Sequence, residues 1–152
     1  EYINTFNIQK TILYPIDIME EGSWVESLPI ALEYAKKFDA NLHIMTAVPD
    51  YGMSIVSQYF PKGTVENVIK KTQDKLHKFV ASNLENEKIK IGKVVVSQGG
   101  SVYQSIINTA EKISADLIMV SAHSPELKDY LLGPNAAKVV RHSEISVLVM
   151  RY

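Results

Sequence analysis

Short apolar runs and amphipathic stretches take turns along this chain, and that alternation limits the possible folds more than any other feature. Thr11-Ile12-Leu13-Tyr14-Pro15-Ile16-Asp17 is an apolar run closed by Pro and Asp. Such a run suits a buried strand that feeds a loop. Leu28, Ala31, Leu32, Ala35 and Phe38 then recur at helical spacing. Pro29 is tolerated only near a helix start, so either Ser27 caps this helix or an earlier turn from Ser23 is kinked there. Leu42 to Val48 reads as a second strand, stopped at Pro49. Val65, Val68, Ile69, Leu76, Phe79, Val80 and Leu84 mark a long amphipathic helix, with Thr64 as its N-cap. Ile89 to Val96 reads as a third strand, followed by a Gly99-Gly100 turn. Ser101 caps a helix that buries Val102, Ile106, Ile107, Ala110 and Ile113. Asp116 to Val120 is a fourth strand, Ala136 to His142 a short helix, and Ser146 to Arg151 a fifth strand.

Strands that are apolar along their whole length are buried on both faces. That implies an α/β fold: an open parallel five-stranded sheet, doubly wound, with helices on either side. Each crossover is expected to be right-handed. In such sheets ligands sit beyond the carboxyl ends of the strands, where the strand order reverses. The rule selects the segments after Ile16, after Ala47 and after Val120. At about 100–200 residues per domain, the 152 residues make one domain, read as 10–152 with residues 1–9 as an N-terminal extension. The segment Asp50 to Gly63 holds Tyr51, Met53, Ile55, Val56, Tyr59 and Phe60 among Gly and Pro. It reads as a lid, a partner-binding loop, or a loop packed on the sheet.

Composition removes several classes of function. The formal charge is −1, from 16 Lys+Arg against 17 Asp+Glu, so no global basic field exists for nucleic acid or anionic lipid. The absence of cysteine excludes a disulfide framework, a thiol nucleophile and a cysteine zinc site, and fits a reducing compartment. No apolar run approaches the ~18–20 residues of a membrane helix. The first ten residues do not read as a secretory signal, and the expectation is a cytoplasmic protein with no membrane insertion.

Chemistry concentrates after the fourth strand, in Ser121-Ala122-His123-Ser124-Pro125 and, eight residues on, Gly133-Pro134-Asn135-Ala136. Pro134 suits a first helical position, where an N–H would be orphaned in any case. The amides of Asn135 and Ala136 would then point out of a helix start, beside its partial positive charge, which is a site for an anion. Ser121 and Ser124 add hydroxyls, and His123 adds a donor near neutral pH.

These pieces, taken in order, resemble the universal stress protein family over Lys10 to Tyr152. The resemblance rests on Ile12-Leu13-Tyr14-Pro15-Ile16-Asp17, Ala47-Val48-Pro49, Gly100-Ser101-Val102 and Ala115-Asp116-Leu117-Ile118-Met119-Val120. It continues through Leu131-Leu132-Gly133-Pro134-Asn135-Ala136, Val139-Val140-Arg141-His142 and Val147-Leu148-Val149-Met150-Arg151. It implies a Rossmann-like fold of the adenine nucleotide alpha hydrolase type and a bound adenine nucleotide, ATP first, alone or with Mg2+. By resemblance Asp17 faces the ribose and adenine edge, Ala47 offers backbone to adenine, and Met119 or Val120 lies near the base. Gly100 borders the sugar, and Ser121, His123, Ser124, Gly133 and Asn135 surround the phosphates. Each has a plainer alternative: Asp17 closes a turn, Ala47 and Val120 are core, Gly100 supplies a positive φ, Asn135 starts a helix, and His123 is an exposed turn residue.

The nucleotide-binding members carry Gly, two residues, Gly, nine residues, Gly, then Ser or Thr. This chain has Ser121 and Ser124 for the first two glycines, eight residues before Gly133, and Pro134 in the last slot. The serines add side chains where phosphates should pass and restrict the backbone. Pro134 removes an amide donor and a hydroxyl, ~1–3 kcal/mol if both had bonded charged oxygens.

Other constellations carry less. His43, His77, His123 and His142 lack metal-ligand spacing, and no metal site is expected. Ser97-Gln98-Gly99-Gly100-Ser101 superficially resembles a pyrophosphatase-type loop but follows the third strand and lacks an aspartate. Lys70, Lys71, Lys75 and Lys78, balanced by Glu66 and Asp74, read as a solvated face. Val147-Leu148-Val149-Met150 is apolar on both faces, and as an edge strand it invites pairing with its twin across a two-fold axis. A homodimer through this strand is expected, as is common in relatives. The reading is a stress-response regulatory protein that binds an adenine nucleotide as a homodimer and meets a protein partner. The alternatives are a dimeric interaction module without nucleotide, and a very slow ATPase with His123 as the sole candidate base.

Overall fold

The computed structural model describes residues 10–48, 63–122 and 133–151. Five strands, β1 (Thr11–Pro15), β2 (Asn41–Val48), β3 (Lys90–Gln98), β4 (Leu117–Ser121) and β5 (Ser146–Met150), alternate with four helices. The helices are α1 (Ser27–Phe38), α2 (Thr64–Asn83), α3 (Val102–Lys112) and α4 (Pro134–His142). All strand pairs are parallel, in the order β3-β2-β1-β4-β5. The order reverses at β1: the chain winds outward through β2 and β3, then returns to β4 on the other side of β1. The open parallel sheet expected from the apolar runs is therefore present.

Alternate residues of each strand serve two cores. Ile12, Tyr14, Leu42 and Ile44 pack with Leu28, Ala31 and Ala35 of α1 and Leu76, Phe79 and Val80 of α2. Leu13, Met45, Ile118 and Val120 pack with Ile106 and Ala110 of α3 and Ala136 and Val139 of α4. Two helices thus cover each face, the doubly wound arrangement.

Several boundaries differ from the sequence reading, each for a local reason. β3 runs two residues past Val96, because Ser97 and Gln98 pair with Ala47 and Val48 at the far end of β2. β4 starts at Leu117 rather than Asp116. Asp116 instead ties the strand starts together: its N–H donates to the Thr11 carbonyl (2.8 Å) and its Oδ2 accepts the Thr11 N–H (2.9 Å). Ser27 and Thr64 do not cap their helices; each is the first helical residue, after Glu26 and Gly63. Gly63 takes φ 91°, where a side chain would be strained. Pro29 falls at the third position of α1, where its missing N–H has no intrahelical partner to lose. Ser101 precedes α3 as expected but makes no side-chain capping bond.

β3 carries the one register irregularity of the sheet. Leu42 pairs with Ile91 and Ile44 with Val94, so β3 holds one extra residue across Gly92 and Lys93. The Lys93 N–H freed by that bulge donates to His43 Nδ1 at 2.9 Å. The imidazole lies flat against Gly92, and a Cβ there would sit 2.5 Å from the ring. β5, the opposite edge, pairs only with β4 among the described residues.

Candidate functional site

At the reversal point, the carboxyl ends of β1, β2 and β4 open into a cleft of about 750 Å³. The size lies within the range of small-molecule sites. Its floor is the end of the sheet: Pro15, Ile16, Thr46, Ala47, Val48, Val120 and Ser121. One wall is the loop after β1 with the first half of α2, through Asp17, Met19, Glu20, Val68 and Thr72. The other is α3 and the start of α4, through Val102, Ile106, Gly133, Pro134, Asn135 and Ala136.

The loop after β1 is held by its own side chains. Asp17 Oδ1 accepts the N–H groups of Met19 (3.0 Å) and Glu20 (3.3 Å), and Ser23 Oγ donates to the Asp17 carbonyl at 3.0 Å. Asp17 thus does close a turn, yet it also lines the cleft, and among the described residues nothing bonds its Oδ2. Beneath it, buried Tyr14 and Ser27 share a hydrogen bond of 2.5 Å between their hydroxyls. That bond ties the first turn of α1 to β1 under the cleft floor.

The opposite wall is built from backbone. Gly133 precedes α4 in extended conformation (φ −65°), and Pro134 is the first helical residue. The Ala137 N–H closes the first turn onto the Gly133 carbonyl (3.0 Å), and among the described residues no side chain caps the amides ahead of it. The N–H groups of Asn135 and Ala136 therefore stand at the positive pole of α4, on the cleft. The φ of Gly133 is open to any residue, and a Cβ there would meet nothing within 4 Å among the described residues. Its smallness keeps the approach to those amides clear rather than relieving the backbone.

Of the residues nominated from sequence, Asp17, Ala47, Val120, Ser121, Gly133 and Asn135 all line this one cleft. Two do not. Met119 is fully buried against the α1 and α2 core, on the opposite face of β4 from Val120. Gly100 lies in the turn before α3 with φ 68°, and that turn is fixed by Ser105 Oγ donating to the Gly99 carbonyl at 3.3 Å. A positive φ accounts for Gly100. His123 and Ser124, and residues 50–62 of the candidate surface loop, lie outside the described residues.

The cleft also contains residues that sequence reading passed over. Ser27 and Thr72 are nearly inaccessible in the fold, and Thr46 interrupts the apolar run of β2. Thr72 donates to the Val68 carbonyl at 2.7 Å, which leaves its methyl for the wall. Its signal was available: Val68, Thr72 and Leu76 share a helical stripe in a segment otherwise rich in Lys. Glu20 sits on the same rim as Asp17. Among the described residues no three His, Asp or Glu side chains group to hold a metal. No helix of the described residues is long and apolar enough to cross a membrane.

Comparison with known proteins agrees with this fold. The model of the universal stress protein family matches residues 9–151. Universal stress protein G of Escherichia coli O157:H7 is 27% identical over 146 residues, 93% of this chain and 99% of that protein. Among solved structures, hypothetical protein MJ0577 superimposes with a TM-score of 0.71 at 23% identity, covering 95% of this chain and 97% of that one. A universal stress protein solved in complex with cAMP superimposes with a TM-score of 0.53 at 19% identity, covering 95% and 98%. With the family model spanning all but the ends of the chain and the sheet order reversing at the cleft, this chain belongs to the universal stress protein family.

Proposed function

We propose that the chain binds an adenine nucleotide in this cleft and acts as a regulatory homodimer rather than as an enzyme. The observation that carries the reading is the pairing, in one cavity, of the uncapped Asn135 and Ala136 amides with the Asp17 turn. The amides suit a phosphate. The Asp17 carboxylate, with Oδ2 bonded by no donor among the described residues, suits a ribose hydroxyl. Ala47 and Val120 offer an apolar floor for a flat base, with Val68 and Ile106 on either side. ATP, the nucleotide put first by the sequence resemblance, shares its adenosine half with ADP, AMP and cAMP, and that half is what the floor and the Asp17 wall suit. The complex of one relative with cAMP supports the same class of ligand.

The residues fit a nucleotide as far as shape and amide donors go, and they supply no general base at the phosphate end among those described. Nucleotide would bridge the ends of β1, β2 and β4 and alter the surface around α4. Dimerisation through β5 is supported by an outer edge that no other described strand pairs and by half-buried Val147, Leu148 and Val149. One observation favours a second reading, an interaction module without nucleotide: Pro134 leaves α4 one amide short.

Calorimetric titration with ATP, ADP, AMP and cAMP tests the proposal. Gly133→Trp should abolish binding while leaving the unfolding temperature and the dimer intact, since the backbone there accepts any residue. Absence of heat with every nucleotide, together with an intact dimer, would favour the interaction module.

A further inference from the structure

Ser27, Thr46 and Thr72 line the cleft with hydroxyls, and each is no more than 3% exposed. Their hydrogen bonds differ. Ser27 Oγ meets the Tyr14 hydroxyl and donates to the Trp24 carbonyl at 3.5 Å, and Thr72 donates to the Val68 carbonyl. Thr46 accepts instead: its Oγ1 takes the Ile18 N–H at 3.5 Å. Among the described residues nothing accepts the hydrogen of Thr46 itself. A buried hydroxyl in that position is costly unless something in the cleft accepts from it. We infer that Thr46 is a binding residue that donates to a ring nitrogen of the bound base and so fixes the base's orientation, an inference that rests on the nucleotide reading above.

The fold sets Thr46 away from the pole of α4. Thr46 continues the Leu42 and Ile44 row of β2, which faces α1 and α2. Ala136, at the start of α4, packs into the core on the other face. Across the sheet, β1 stands between β2 and β4, and α4 leads into β5 on the far side of β4. At about 4.8 Å per neighbouring pair of strands, the Thr46 hydroxyl and the Asn135 and Ala136 amides are separated both along the sheet and through it. A ligand with its phosphate on those amides therefore brings its nucleoside end to Thr46. Ile18, which donates to Thr46, follows Asp17, the acceptor for ribose, and Ala47 follows Thr46 onto the apolar floor. The bare ring nitrogens of a purine accept and its exocyclic amine donates. A hydroxyl hydrogen at the end of β2 thus matches a ring nitrogen and not the amine.

The test is calorimetric titration of the full chain, Thr46→Val and Thr46→Ser with adenosine and with 1-, 3- and 7-deazaadenosine, each of which replaces a ring nitrogen by C–H. The wild type should bind one of these analogues about three- to tenfold more weakly than adenosine, the worth of a neutral hydrogen bond. Thr46→Val should weaken adenosine by a similar factor and lose nothing further with that analogue, while Thr46→Ser should behave as the wild type. A gap between adenosine and that analogue that persists undiminished in Thr46→Val overturns the inference. So does a coupling of Thr46→Val to 2′-deoxyadenosine or 3′-deoxyadenosine instead, which would put the hydroxyl on the ribose. A wild type that binds adenosine and all the deaza analogues alike overturns it too, and needs no variant to fold. Adenosine binds in each of these outcomes, so the nucleotide reading survives them. Failure of adenosine and every nucleotide to bind overturns that reading and this inference with it.

Discussion

Gly92→Ala should be among the more damaging single-methyl additions in this protein, although Gly92 lies on an edge strand. The added Cβ would sit 2.5–2.6 Å from three atoms of the His43 ring, closer than any real contact. Either the ring or the bulge must move. Moving the ring breaks the 2.9 Å bond from the Lys93 N–H to His43 Nδ1, and the bulge leaves that N–H no ladder partner. Loss of a partner for a partly buried donor costs ~1–3 kcal/mol, and overpacking adds ~1–3 kcal/mol. His43 is only half-buried and water can partly replace it, so about 2–4 kcal/mol is expected for the pair of effects. For a chain of this size each kcal/mol lowers the unfolding temperature by about 2–4 °C. The assay is urea or thermal unfolding of the wild type, Gly92→Ala, His43→Ala and the double variant, at one protein concentration. His43→Ala removes both the bond and the obstacle, so Gly92→Ala should cost about 0.5 kcal/mol or less in that background, the remainder appearing as coupling between the sites. A cost that is the same with and without the His43 ring would refute the account.

The same pair predicts a pH dependence. Desolvation, and then the charge of Lys93, hold His43 below its ordinary value. The unfolded chain therefore takes the proton first, and stability present above about pH 6.5 is lost as pH falls through the lower folded value. His43→Gln should flatten unfolding free energy measured between neutral and mildly acidic pH. Asp39, lowered by its hydrogen bond and charge pairing with Lys90, acts only below the ordinary carboxylate range and is separable by its window. Pro134→Ser restores an amide and adds a hydroxyl at the start of α4, and should tighten binding of phosphorylated ligands by ~1–3 kcal/mol without changing adenosine, read by calorimetry. Val149→Lys places a charge on the half-buried outer edge of β5 and should shift a dimer to monomer in sedimentation velocity; an unchanged sedimentation coefficient would remove β5 from the interface.

Much of this protein was legible in one dimension because its strongest signals are local. A strand buried on both faces must be apolar at every position, and a helix laid over it must be apolar on one stripe. Ile12 to Tyr14, Leu117 to Val120 and the Leu28–Ala31–Ala35 stripe satisfy those demands without reference to anything distant. The switch-point rule then located the cleft, and Asp17, Ala47, Val120, Ser121, Gly133 and Asn135 arrived there from four separate stretches. What local pattern could not assign is which face a strand residue shows. Met119 and Val120 are equally apolar neighbours, yet the pleat sends one into the α1 and α2 core and the other to the cleft. Only the packed sheet decides that.

Tertiary structure alone also decided the contents of the second wall. Thr72 and Val68 reach the cleft because of how α2 packs across the sheet, a placement that depends on the crossover and not on the helix's own sequence. The bulge that joins His43 to Gly92 is likewise invisible in the chain: the two lie 49 positions apart, and their contact exists only because β2 and β3 pair with one residue out of step. Composition and periodicity record what each segment can bury. The pairing register and the winding of helices across the sheet record what it is buried against.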